Sequence, residues 1–161
     1  MTRPATRVAF VGQAPGRRFG RRLAFEGPTG DRLARACGLE SHQELRERAL
    51  LINLWGRYPG PSGRVQGDGF VSAAAARAAA RRRARLLASR GCEIVVCCGR
   101  AVATGFGLGD RPFLSWGELQ LRRGVLARVA VVPHPSGVSR WWNDPAARRR
   151  ASNFLQQLLT S

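Results

Sequence analysis

The sequence predicts an α/β fold: a three-layer α/β/α sandwich around a central, mainly parallel four-stranded sheet. Three observations predict it. Four short apolar runs are continuous rather than alternating, as expected of strands covered on both faces. Helix-forming stretches lie between them. Three of the runs end abruptly in polar or Gly- and Pro-containing segments, the kind of loop that carries function over a rigid sheet.

The four runs are Val8–Val11, Leu50–Ile52, Ile94–Cys97 and Val129–Val132. Gly30–Ala36 reads as a short helix stopped by Gly38. Ser72–Ser89 is rich in Ala and Arg, offers Ser as an N-cap and stops at Gly91. A further turn or two follows Gly99, and Pro145–Leu159 opens after Asp144 with Pro at the first helical position. Glu118–Leu121 is a candidate extra strand that turns at Arg123-Gly124 into the last core strand. Two loops interrupt the alternation: Gly12–Thr29, with four Gly and four Arg, and the Gly- and Pro-rich Tyr58–Gly69. A chain of 161 residues, 44% hydrophobic and without internal repeats, is expected to form one domain over residues 1–161.

Charge narrows the class of partner. Twenty-seven basic residues face ten acidic ones, a formal charge of +17, and every basic residue is Arg. An Arg-rich coding bias explains the missing Lys but not the shortage of acids, so a polyanion, nucleic acid above all, is the expected partner. No run of eighteen apolar residues and no apolar leader-like stretch occurs, so no membrane association is expected and a cytoplasmic, bacterial-type, nucleoid-associated location is. Cys37, Cys92, Cys97 and Cys98 form no Cys-x-x-Cys pair. They read as small buried hydrophobes in a reducing compartment, and no metal site is expected.

Ligands of open α/β sheets bind beyond the carboxyl ends of the strands. The first strand runs into Gly12-Gln13-Ala14-Pro15-Gly16, the second into Asn53, the last into Pro133-His134-Pro135-Ser136-Gly137. Gln13, Asn53 and His134 are therefore expected on one rim. Two amides and an imidazole suit a flat polar heterocycle such as a nucleobase, because an amide reads donor and acceptor edges and an imidazole polarises a carbonyl oxygen.

These segments resemble the motifs of the uracil-DNA glycosylase superfamily. Gly12–Gly16 resembles its first motif, Phe25-Glu26-Gly27-Pro28-Thr29-Gly30 its Phe-x-Gly-x-x-Gly segment, Leu51–Leu54 the apolar run ending in the uracil-reading Asn, and His134–Arg140 its His-Pro-Ser loop. The four occur in the family's order across nearly the whole chain. The resemblance implies a monofunctional, cofactor-free and monomeric glycosylase. It would flip uracil out of single- or double-stranded DNA and hydrolyse the N-glycosidic bond, leaving an abasic site. It implies a uracil pocket of Gln13, Ala14, Phe25, Asn53 and His134. Phe25 would stack on the base, Asn53 read its edge and His134 stabilise charge on the uracil oxygen. It implies DNA contacts from Pro15, Gly16, Arg17, Ser136, Gly137, Val138 as wedge, Ser139 and Arg140. Arg17, Arg18, Arg21 and Arg22 also read as phosphate contacts or, alternatively, as a solvated basic loop.

Two departures matter. Several branches of that superfamily carry a carboxylate in the first motif, either directly after the first Gly or one position later, where this chain has Gln13 and Ala14. The iron–sulfur branch has an N-terminal cysteine pair, whereas only Cys37 precedes residue 90 here, so no cluster is expected. The catalytic set is then His134 with Gln13, and with Asp31 as a substitute acid by resemblance to acid-lacking branches. Asp31 also reads simply as a first-turn acid favouring a helix dipole. His134 reads alternatively as a structural histidine and Phe25 as core. Trp141-Trp142 read as packing for the last helix. A non-catalytic binder of uracil-containing or abasic DNA is the competing function. A basic RNA-binding protein explains the charge but not the rim residues.

Overall fold

The computed structural model describes residues 7–14, 24–56, 72–136 and 139–159. Its sheet has five strands in the order β2-β1-β3-β5-β4: β1 Val8–Gly12, β2 Leu50–Asn53, β3 Ile94–Cys98, β4 Trp116–Arg122 and β5 Val125–Val132. β2, β1, β3 and β5 pair in parallel, and these are the four expected core strands. β4 pairs antiparallel with β5 at the edge, so the expected count of four becomes five. The physical reason lies in its pattern. Leu119 and Leu121 are buried while Glu118, Gln120 and Arg122 are exposed, the alternation of a strand with one covered face. Gly124, at φ 75°, makes the tight turn into β5.

The helices are α1 Pro28–Ala36, α2 His42–Arg48, α3 Ala73–Ser89, α4 Arg100–Gly105 and α5 Pro145–Gln156, with a 3-10 turn at Arg140–Asn143. Local chemistry sets their ends. Ser72 caps α3 by accepting from Ala75 N at 3.1 Å, and Asp144 caps α5 by accepting from Ala146 N and Ala147 N. Helix α1 begins two residues before the expected Gly30 because Pro28 already satisfies its first turn. α5 stops at Gln156, short of the expected Leu159. The polar α2 was not expected at all; Ser41 caps it by accepting from Glu44 N.

Two apolar layers sandwich the sheet. Phe10, Val96, Cys98 and Val132 pack with Phe25, Leu33, Leu45, Trp142 and Leu155 on one face. Val11, Val95, Cys97 and Val131 pack with Ala79, Ala80, Leu87 and Val102 on the other. So α1, α2 and α5 cover one side and α3 and α4 the other. The chain leaves β1 for β2 on one flank and returns to β3 on the opposite flank. The strand order therefore reverses between β1 and β3, and their carboxyl ends form the crevice where doubly wound sheets bind ligands.

Candidate active site

Glycine makes the floor of that crevice. Gly12 ends β1 in register with Asn53 at the end of β2. A Cβ on Gly12 would lie 2.6 Å from Asn53 Oδ1 and 2.9 Å from Phe25 Cζ. The Asn53 carboxamide and the Phe25 ring thus meet over the bare backbone of β1. Asn53 is 8% exposed, and among the described residues it is the one buried polar side chain. A buried amide usually has its hydrogen bonds filled by the fold. None of the described residues hydrogen-bonds this one.

Phe25 is buried in the core at 7% exposure, yet its backbone sits at φ 56°. For a bulky residue this left-handed conformation costs on the order of 1–3 kcal/mol and persists only where neighbours over-determine it. The neighbours are visible. Arg46 Nη2 donates to Ala24 O, and Asp31 N donates to Gly27 O at 3.1 Å. The Phe25 carbonyl packs so tightly on Gly30 that a Cβ there would come within 1.7 Å of its oxygen.

On the other side of the crevice, His134 follows β5 and leans over Gly99 at the end of β3. A Gly99 Cβ would lie 3.2 Å from His134 Cβ, and Gly99 itself adopts φ 103°. Asn53 and His134 spring from strands three spacings apart, ~14 Å. Their side chains rest over the adjacent strands β1 and β3, so they converge on the switch point. Ser136 N donates to His134 Nδ1 at 3.2 Å. A backbone N–H can only donate, so Nδ1 is unprotonated and the ring proton of the neutral imidazole is on Nε2. Trp142 Nε1 donates to the His134 carbonyl at 2.8 Å.

The loop after His134 is tied to α1. Arg32 Nη1 donates to Ser136 O at 2.8 Å and approaches Pro135 O at 3.4 Å, and Ser139 N donates to the same Ser136 O at 3.2 Å. One guanidinium thereby joins the segment carrying Phe25 to the loop carrying His134.

Asp31 is engaged elsewhere. Its Oδ1 lies 2.7 Å from His42 Nδ1 and accepts from His42 N at 3.2 Å, fastening α1 to the start of α2. Those hydrogen bonds, the side-chain one foremost, hold its carboxyl below the ordinary value. Gln13 and Ala14 lie half-buried just past β1, and the Gln13 carbonyl accepts from Trp55 N at 3.0 Å. Ser136 and Ser139 are half-buried and Arg140 is exposed. Pro15, Gly16, Arg17, Arg18, Arg21, Arg22, Gly137, Val138 and the whole of the Tyr58–Gly69 loop lie outside the described residues. All four cysteines are buried, as expected, and burial pushes the Cys37 and Cys97 thiols up to about 12. Among the described residues no three His, Cys, Asp or Glu side chains gather as a metal site. Among those residues, too, no helix is long and apolar enough to cross a membrane.

Sequence reasoning missed Arg32, His42 and the Trp142 bond. Ser41-x-x-Glu44, a helix-start signature, would have placed His42 in a first turn. Nothing local marks Arg32, whose partners are 103 and 104 residues away.

The doubly wound sheet thus brings an amide, an aromatic ring and an imidazole to its switch point, groups with the chemistry to hold a small planar polar molecule. A formal charge of +17 suits a polyanionic partner. The model of the uracil DNA glycosylase superfamily matches residues 1–158, and the chain belongs to that superfamily. Membership brings DNA binding and the general activity of a DNA glycosylase, a hydrolase of DNA repair. No curated protein matches the chain by sequence.

Proposed function

We propose that the protein removes uracil from DNA by hydrolysing its N-glycosidic bond and leaving an abasic site. In this reading Phe25 stacks on the flipped base and the Asn53 carboxamide reads its edge. His134 Nε2–H donates to the uracil oxygen on which negative charge grows as the bond to the sugar breaks. Water supplies hydroxide to the sugar carbon, and uracil departs with the bonding electrons and takes up a proton. Gln13 and Ala14 complete the pocket wall, where the Gln13 amide would position water. Ser136, Ser139 and Arg140 would hold phosphates together with Pro15, Gly16, Arg17, Gly137 and the Val138 wedge. The protein acts as a cofactor-free monomer in the cytoplasm.

One observation carries the reading: the Asn53 amide and Phe25 ring meet over Gly12, while the His134 imidazole, its proton on Nε2, leans over Gly99 one strand away. A preorganised donor at a developing oxyanion is typically worth ~10²–10³-fold in rate. The test is release of free uracil from labelled single- and double-stranded oligonucleotides, with hypoxanthine and mismatched thymine as controls. Release of uracil is expected. Tight binding of uracil-containing or abasic DNA without release favours the second reading, a non-catalytic binder, whose support is the absence of a carboxylate at Gln13 and Ala14.

A further inference from the structure

Helix α3 lies on the face of the sheet opposite Phe25 and Trp142. Ala76, Ala79, Ala80, Ala84 and Leu87 form its buried side. Its solvent side holds Arg77, Arg81, Arg82 and Arg85, all exposed. At 100° per residue these four fall within about 140° of the helix circumference, and Arg77, Arg81 and Arg85 form a straight i, i+4, i+8 row on the order of 12 Å long.

This is not an ordinary solvated helix face. Such faces alternate sign, so that carboxylates offset the cations. No acidic residue occurs anywhere in α3, and among the described residues none of the four arginines makes an ion pair or a hydrogen bond. Arg77–Arg81 and Arg81–Arg85 are like charges at the i, i+4 spacing, and each pair opposes the helix that carries it. Between the arginines the surface is Ala74 and Ala78, too short to hold an extended backbone away. A stripe of uncompensated guanidinium forks on a flat, rigid helix complements a run of phosphates, which arginine grips bidentately.

We propose that the outer face of α3 is a second DNA-binding surface, separate from the uracil pocket, that holds the phosphate backbone of a DNA segment without reading sequence. It rests on the DNA binding that superfamily membership brings, and it does not require that uracil be the base removed. Its role is retention. DNA held by a base-independent surface stays at high local concentration while the rim samples bases.

The test compares two variants of the full chain that lose the same charge from opposite layers. Arg77→Ala/Arg81→Ala/Arg85→Ala removes the stripe and favours the helix, since Ala is the better helix former and the like-charge pairs disappear. Arg148→Ala/Arg149→Ala/Arg150→Ala removes three exposed arginines from α5 on the other side. Binding to uracil-free duplex DNA is measured across a salt series, with single-turnover uracil excision at saturating enzyme and circular dichroism in parallel. The α3 variant is expected to lower the slope of log affinity against log salt by ~2–3, because each phosphate contact contributes ~0.9. Its saturated excision rate stays as in the parent, and the α5 variant changes the slope by less than half as much. An unchanged slope in the α3 variant, or equal losses in both variants, overturns the proposal, the latter showing net charge rather than a surface. Unchanged DNA binding with lost binding to anionic phospholipid vesicles overturns it in favour of a lipid surface. If the parent releases no uracil but the α3 slope still falls, the function proposed above fails while this surface stands.

Discussion

Replacing Gly12 by Ala tests the candidate site most directly, because it adds one methyl where the Asn53 amide and the Phe25 ring meet. Gly12 is not among the glycines at positive φ, so alanine brings no backbone strain. The added Cβ would stand 2.6 Å from Asn53 Oδ1 and 2.9 Å from Phe25 Cζ, whereas ordinary contact begins at 3.4 Å. The oxygen must retreat by 3.4 − 2.6 = 0.8 Å and the ring by 3.4 − 2.9 = 0.5 Å. The ring has little room, being 7% exposed on a left-handed backbone pinned by Gly30, so the amide takes most of the displacement. Overpacking costs ~1–3 kcal/mol and the stiffer unfolded chain returns ~0.4–1, for a net loss of ~1–2 kcal/mol. For a chain of this size that is a fall in Tm of ~2–8 °C.

Activity should fall further than stability. A reading group displaced by nearly 1 Å loses on the order of 10²-fold. The assay is single-turnover excision from a uracil oligonucleotide at saturating enzyme, with calorimetric melting alongside. Gly124→Ala is the matched control: Gly124 has φ 75° and nothing within 4 Å of its Cβ direction, so it loses stability through the backbone alone and should excise normally. A folded Gly12→Ala protein that excises as fast as the parent refutes the assignment of Asn53 and Phe25 to the pocket.

Three more outcomes are expected. Arg32→Ala should lower the excision rate at saturation by ~10–100-fold, the worth of a charged hydrogen bond, with little change in DNA affinity and partial recovery in Arg32→Lys; a purely affinity-based loss would show that Arg32 contacts DNA instead of positioning the His134 loop. His134→Ala should lose two to three orders of magnitude in rate, about 3–4 kcal/mol, while Asp31→Asn retains measurable activity; the reverse order in single-turnover assays inverts the mechanism. Because His42 holds the Asp31 carboxyl below its ordinary 3.8, its contribution to stability is full above pH 3.8 and is lost as pH falls through the lower folded value. Denaturant unfolding should therefore show parent and Asp31→Asn differing at neutral pH and converging in strong acid, and a constant gap contradicts the pairing.

The core strands were legible because burial on both faces writes itself as unbroken apolar runs, and the ends of β1, β2 and β5 then located Gln13, Asn53 and His134. Helix α3 was legible from Ser72, its Ala content and Gly91. The short α2 was not, since it buries only Leu45 and shows no apolar period. Nor were the contacts that shape the site. Arg32 meets carbonyls more than a hundred residues away, and His42 meets Asp31 only because α1 and α2 fold against each other. Gly12 and Gly99 could be read as strand ends. Their function as bare floors under Asn53 and His134 depends on which side chains lean over them, and sequence spacing does not record that.

The placement of charge bears on the missing carboxylate. Breaking the glycosidic bond creates a cationic sugar and an anionic base. An acid beside the sugar favours the first, and donors beside the base favour the second. In this chain Gln13 and Ala14 replace the acid, and Asp31 is committed to His42. The protein's net +17 opposes a sugar cation but favours a base anion. The phosphates of the bound strand lie next to the sugar and supply negative charge there, so a carboxylate is dispensable on that side in a way that a donor on the base side is not. The groups the fold fixes most firmly are on the base side. Asn53 is buried, Phe25 is held in a strained turn, and the His134 proton is directed to Nε2 by Ser136 N–H. On the proposed reaction, leaving-group stabilisation is therefore the dominant catalytic effect, and the substitutions at Gln13 and Ala14 lower the rate without removing the chemistry.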